Sequence, residues 1–146
     1  MALRLEKGDF DGDGELDAVV AGAYTDHRYS LTPYTYDAKK NTFVQGTLFG
    51  GDVGAPSAHR YWDTAAGDFD GDGKDELAMA AYRRIDFFTD GGGVLSLAGS
   101  AGFADPLNQT SMTLVSGLFH VNPDEGFGLA RRQLGYVLTH WDGGPL

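Results

Sequence analysis

"GDFDGDGELD" at residues 8–17 and "GDFDGDGKDE" at residues 67–76 share their first seven letters and lie 59 positions apart. Each places five acids within ten residues: Asp9, Asp11, Asp13, Glu15 and Asp17, then Asp68, Asp70, Asp72, Asp75 and Glu76. Carboxylates that close repel one another unless something positive sits among them. The flanks repeat as well, since "GELDAVVAGAY" at 14–24 resembles "GKDELAMAAYR" at 73–83. An internal repeat therefore organises the chain. A third, decayed copy reads "GLFHVNPDEGFGLA" at 117–130. It keeps Gly117, Phe119 and Ala130 at the offsets of Gly67, Phe69 and Ala80, with Asn122 at the place of Asp72.

At 146 residues the chain is within single-domain size and long enough to bury a core. Its 22 glycines, with Val, Thr, Tyr and Phe spread throughout, predict short strands and tight turns rather than long helices. The net charge of -10 excludes a nucleic-acid partner, which needs a basic stripe, and argues against an anionic membrane surface. Ten of the 21 acids sit in the two repeated segments, leaving 11 to match the 11 Lys and Arg. The excess charge is thus a property of two loops. No cysteine is present, so disulfides and thiolate chemistry are absent. No apolar run reaches the length of a membrane span, and no signal-peptide core opens the chain.

Each repeat divides into strands. An apolar strand precedes the acidic loop (61–66, and 112–115 in the third copy) and a second follows it, "LDAVVAGAY" and "ELAMAAY". The second strands are continuous and built of small residues, as in a strand buried on both faces. A third and fourth follow, "SLTPYTYD" and "TFVQGTLF" around "AKKN", then "RIDFFTD" and "VLSLAG" around Gly91–Gly93. These connections read as hairpins. Four antiparallel strands at this period describe a propeller blade. The fold class expected is therefore all-β, a single β-propeller segment with repeats at 1–58, 59–108 and 109–146, the last incomplete at about three strands ("TSMTLVSGLF", "GFGLARRQL", "GYVLTHWD"). Closed propellers have about four to eight blades. The expectation is either part of a longer chain or a ring completed by several copies.

The loop pattern D-x-D-G-D-G-x-x-[DE] suits calcium, which takes about six to eight hard oxygen ligands. In loop 1 the ligands expected are Asp9, Asp11, Asp13, the Glu15 carbonyl and Asp17. In loop 2 they are Asp68, Asp70, Asp72, the Lys74 carbonyl and Glu76. Gly12, Gly14, Gly71 and Gly73 allow the backbone to turn these groups inward. A helical EF-hand is excluded, because its closing Glu would fall at Val20 or Met79, within an apolar strand. The third copy, with Leu118 and His120 in place of acids and Pro123 in the turn, is expected to keep the blade and lose the ion.

With those residues in view, "EKGDFDGDGELDAVVAGA" and "AAGDFDGDGKDELAMA" resemble FG-GAP/VCBS-type repeats, the blades of integrin-alpha-like propellers. The resemblance covers most of the chain. It implies that the acidic loop joins the first two strands of a blade and holds one calcium, giving two sites here. It departs from the family in the third repeat, and "GAP" occurs only once, at 54–56. The chain therefore stands nearer the VCBS-like branch of secreted microbial proteins, among them adhesins, lectins, toxin components and accessory domains of polysaccharide-degrading enzymes. Extracellular or cell-surface location follows from the resemblance alone.

No other chemistry stands out. His27, His59, His120 and His140 are scattered, and neither H-E-x-x-H nor a G-x-S-x-G elbow occurs. Acids held by calcium are unavailable for glycoside hydrolysis. Among the aromatic residues, Tyr61, Trp62 and Trp141 are the candidates for exposed stacking on a sugar. The expectation is a non-catalytic, calcium-binding propeller segment of a secreted or surface protein, mediating adhesion through a glycan or protein ligand. Two other readings remain open: an accessory or partial domain of a calcium-dependent polysaccharide lyase or hydrolase, and a homo-oligomeric scaffold that completes one ring.

Overall fold

The computed structural model describes residues 1–52, 62–81, 84–102, 110–119 and 131–140. Eleven strands and no helix are found among the described residues, and every strand pairing is antiparallel. None of the described residues forms a helix long and apolar enough to cross a membrane.

Sheet 1 is β1 (Ala2–Gly8), β2 (Asp17–Ala23), β3 (Arg28–Asp37) and β4 (Thr42–Gln45), in that order, with β5 (Phe49–Asp52) also on β3. Sheet 2 is β6 (Asp63–Gly67), β7 (Glu76–Ala81), β8 (Arg84–Asp90) and β9 (Leu95–Gly102). β10 (Thr110–Phe119) and β11 (Arg131–His140) form a third sheet, and β10 runs beside β6 and β7. These are propeller-type blades whose ring is not closed.

The hairpins are built as their residues require. At the β3–β4 turn Asp37 accepts hydrogen bonds from the Lys39 and Lys40 amides, and Asn41 takes a φ of 50°. At the β8–β9 turn Asp90 accepts from the Gly93 and Val94 amides, with Gly92 and Gly93 at φ 78° and 84°.

Two expected strands come out differently. "TFVQGTLF" is not one strand but β4 and β5, which pair with opposite ends of the long β3. Between them the chain leaves the ladder to reach sheet 2, where the Thr47 amide donates to the Gly93 carbonyl at 2.7 Å. Gly46 is needed for that approach, because a Cβ there would lie 2.1 Å from the Gly93 oxygen. Conversely, residues 131–140, expected as parts of two strands, form the single strand β11, which pairs with β10 straight through Gly135.

Strand alternation gives each sheet two faces. In sheet 2 one face, with Trp62, Leu77, Met79 and Phe88, packs on Val19, Ala21, Ala23, Tyr29 and Leu31 of sheet 1. The opposite face carries Ala65, Ala78, Ala80 and Ile85, with Phe69 and Phe87 packed alongside in an edge-to-face pair at 5.9 Å. We call the first the front of a sheet and the second its back, so the front of sheet 2 rests on the back of sheet 1. Small Ala and Val side chains in β2 let the larger Met79, Leu77 and Phe88 seat between the sheets, each fully buried. A fully buried side chain of that size contributes about 1.5–3 kcal/mol. Polar contacts flank this core: Arg4 Nε donates to Asp63 Oδ1 at 3.1 Å, and Thr64 Oγ1 donates to Glu6 Oε1 at 2.6 Å. Burial raises the Glu6 carboxyl, and the Thr64 hydroxyl pulls the other way.

Candidate metal centre

Loop 1 joins β1 to β2 and loop 2 joins β6 to β7, so each acidic stretch connects the first two strands of its sheet. Within the loops the acids fold the backbone around themselves. Asp9 accepts from the Gly12 amide at 2.8 Å and the Gly14 amide at 3.0 Å, Asp11 from Asp13 at 3.1 Å, and Asp13 from Glu15 at 2.9 Å. Loop 2 repeats this bond for bond: Asp68 accepts from Gly71 at 2.6 Å and Gly73 at 3.2 Å, Asp70 from Asp72 at 3.0 Å, and Asp72 from Lys74 at 2.8 Å. The turns need left-handed backbone at Gly12, Gly14, Gly71 and Gly73, whose φ values are 80°, 91°, 86° and 96°. With an amide on one oxygen, Asp11, Asp13 and Asp70 each keep a second oxygen that can face a cation.

Carboxylate oxygens of Asp9, Asp11 and Asp13 lie within 4.8 Å of one another, as do those of Asp68, Asp70 and Glu76. Either group could hold a metal ion, and the donors are all hard oxygens, without nitrogen or sulfur. The fourth acid of each loop therefore divides by position. Glu76 stands within the loop 2 cluster and Asp72 outside it; in loop 1 Asp13 is within and Asp17 outside.

The closing acids open β2 and β7 and are both buried. Asp17 Oδ1 accepts from the Tyr36 amide of β3 at 2.9 Å, and its buried Oδ2 has no hydrogen-bond partner. Glu76, one methylene longer, instead turns back to its own loop and accepts from the Phe69 amide at 2.8 Å. Burial raises both carboxyls, with neighbouring loop acids (Asp11 and Asp13, Asp70 and Asp72) adding to it. A cation would relieve both causes. The orphaned Asp17 oxygen and the all-carboxylate donor set fit a bound hard cation. The amides of Glu15 and Lys74, whose carbonyls are the ligands expected from the sequence, donate to Asp13 and Asp72.

One residue outside the motif ties the loops together. The Asp9 amide donates to Asp75 Oδ2 and the Asp75 amide donates to the Asp9 carbonyl, both at 2.9 Å. Gly8 admits this contact, since a Cβ there would come within 2.7 Å of Asp75 Oδ2. The Lys74 stem lies over Gly12, where a Cβ would meet its carbons at 2.9 Å. Asp75 was not among the expected ligands. The signal for it was present, because its counterpart in loop 1 is Leu16, which makes Asp75 the acid that breaks the repeat.

Trp62, expected as an exposed sugar contact, is 5% exposed and belongs to the core between sheets, with the Arg4 guanidinium 5.7 Å over its ring. It precedes β6 on the face that sheet 1 covers, so its ring is unavailable for stacking. Tyr61, Trp141 and residues 120–130 of the third copy lie outside the described residues. Beside loop 1 a cleft of about 560 Å³ opens between Asp13, the β3–β4 hairpin (Tyr36, Asp37, Gln45) and the glycines of the β8–β9 turn.

Two stacked antiparallel sheets, each with an oxygen-only acidic loop between its first two strands, define propeller-type blade repeats. Residues 9–79 match the family model described as FG-GAP-like repeat, so this stretch, which spans both loops, is FG-GAP-like repeat sequence. A comparison with curated proteins found no match, and one with solved structures found none.

Proposed function

We propose that this chain is a calcium-binding, non-catalytic β-propeller segment of a secreted or surface protein, in which calcium locks each blade and the outer surface carries a glycan or protein ligand. The observation that carries it is the duplicated loop network, closed in loop 1 by an Asp17 oxygen that is buried and unpartnered. Calcium accepts about six to eight oxygens in flexible geometry, whereas magnesium demands a tighter octahedron and keeps its waters. Three clustered carboxylates, a closing acid and main-chain oxygens suit calcium better. FG-GAP repeats occur in extracellular and surface proteins and are typically non-catalytic, which supports the location and the absence of a reaction. A hydroxyl-rich ligand would find amide, carboxylate and phenol groups in the cleft beside Asp13.

Calorimetric titration of chelator-treated protein with calcium tests the reading, and two binding events are expected. At a free concentration 100 times the dissociation constant, each site adds about 2.7 kcal/mol of stability. Two sites together raise the melting temperature by at least about 10 °C. A melting temperature that calcium leaves unmoved, with no heat of binding, would sink the proposal.

A further inference from the structure

Each acidic loop is complete in its own bonds, yet the two loops touch, and they touch at residues with a place in metal binding. Loop 2 makes the contact with three consecutive residues. Lys74, whose carbonyl is an expected ligand, lays its side-chain stem over Gly12. Asp75 holds Asp9 by two bonds, amide to carboxylate and carbonyl to amide. Glu76 belongs to the loop 2 carboxylate cluster. On the other side, Asp9 is the first acid of the loop 1 cluster and folds that loop by accepting from the Gly12 and Gly14 amides. Phe10, which follows it, is fully buried in the core between the sheets. The opening of loop 1 is thus set against the closing of loop 2.

We propose that the two loops bind their ions cooperatively, with Asp75 as the positioning residue that passes the order of one loop to the other. The inference rests on the calcium reading above. The peptide unit between Lys74 and Asp75 serves both sites: its N–H donates to the Asp9 carbonyl, and its C=O is the oxygen expected to meet the loop 2 ion. A cation on that oxygen polarises the amide and makes its N–H a stronger donor. The same cation, held also by Glu76, fixes the backbone on both sides of Asp75, and the Asp75 carboxylate then steadies the Asp9 amide. Part of the ordering that loop 1 needs is met before its own ion arrives, which is positive cooperativity. Linkage makes the effect reciprocal, so an ion in loop 1 favours loop 2 equally.

Charge alone acts in the opposite sense. An ion in one acidic loop weakens the negative potential that draws a cation to the other. That effect fades over about 10 Å at about 0.1 M salt, whereas a bonded contact does not. The sign of the cooperativity therefore separates the clasp from mere proximity of two acidic loops.

Calorimetric titration of the chelator-treated chain with calcium, in about 0.1 M salt, tests this. The native chain should take two ions, the second about fivefold or more tighter than the first. Asp75→Ala removes the clasp from sheet 2. Gly8→Ala disturbs it from sheet 1, by placing a Cβ within 2.7 Å of Asp75 Oδ2. Both variants keep every clustered acid, so both should still bind two ions, with the advantage of the second reduced to about twofold or less. Asp75→Asn keeps an oxygen for the Asp9 amide and should keep the cooperativity. A native chain whose ions bind independently, or that takes only one, overturns the coupling and leaves calcium binding standing; a chain that binds none removes both. Undiminished cooperativity in Asp75→Ala and Gly8→Ala overturns the role of Asp75. Its loss in Asp75→Asn would trace the effect to charge and overturn the clasp.

Discussion

Loop 1 and loop 2 bind the same backbone amides with the same acids, yet they close differently. Glu76 reaches back into its own loop and joins the carboxylate cluster, whereas Asp17 gives one oxygen to the Tyr36 amide of β3 and stands outside the three-acid cluster of loop 1. The position before the closing acid differs too, with Asp75 clasping the neighbouring loop where Leu16 meets solvent. The same contrast runs through the strands, since Met79 is fully buried and its repeat counterpart Val20 lines an open groove. Copies of one unit thus acquire distinct roles from their place in the stack. The first presents a face and a loop to be received, and the second supplies the groups that receive them.

The strand contrast predicts the largest effect. Met79→Ala removes a fully buried side chain from the core between sheets and should cost about 2–5 kcal/mol. Val20→Ala, at the equivalent position, should cost less than about 1 kcal/mol in the monomer, because the groove around it is open. Chemical denaturation of both variants measures the difference. Equal losses would mean that the front of sheet 1 is as well packed as that of sheet 2.

The loops and hairpins were legible in the sequence because Asp and Gly at fixed offsets dictate local bonds: a carboxylate two, three or five residues before an amide, and a glycine where φ turns positive. Strands built of small residues were legible for the same local reason. Trp62 was not, since an aromatic ring at the start of a strand reads alike whether its face meets water or another sheet. Only the stacking decides. The break between β4 and β5 was hidden because its cause is the Gly93 carbonyl of another sheet, nearly fifty residues along the chain. Residues 131–140 failed in the opposite direction: Gly135 reads as a break, while the β10–β11 ladder runs through it.

Asp75 carries the second prediction. Asp75→Ala leaves the Asp9 amide without its acceptor in a part-buried place and should cost about 1–3 kcal/mol. Leu16→Ala, its repeat counterpart, should stay within about 0.5 kcal/mol. The Asp9 carbonyl and carboxylate sit on either side of the lost contact, so Asp75→Ala should also loosen loop 1, read as faster hydrogen exchange at Gly12 and Gly14. If exchange at those amides is unchanged, the two loops are neighbours without being coupled.

The closing acids give the smallest effect on stability and the sharpest test of their difference. Glu76→Gln removes a charge from the loop 2 cluster itself, and affinity there should fall by about a hundredfold or more. Asp17→Asn leaves the three clustered carboxylates of loop 1 in place and keeps an oxygen for the Tyr36 amide. The loss should therefore be the smaller of the two, about tenfold. Without a cation the order of stabilities should invert. Burial raises both carboxyls, so their folded values lie above the ordinary 3.8 and 4.5. Each acid's stabilising contribution is then complete only below the ordinary value and is lost as pH rises through the folded one. At neutral pH in chelator each neutral variant should consequently melt no lower than the native chain, and with calcium it should melt lower. A Glu76→Gln variant that binds calcium as tightly as Asp17→Asn would show that Glu76 only braces the loop through the Phe69 amide, and that both loops close around an ion in the same way.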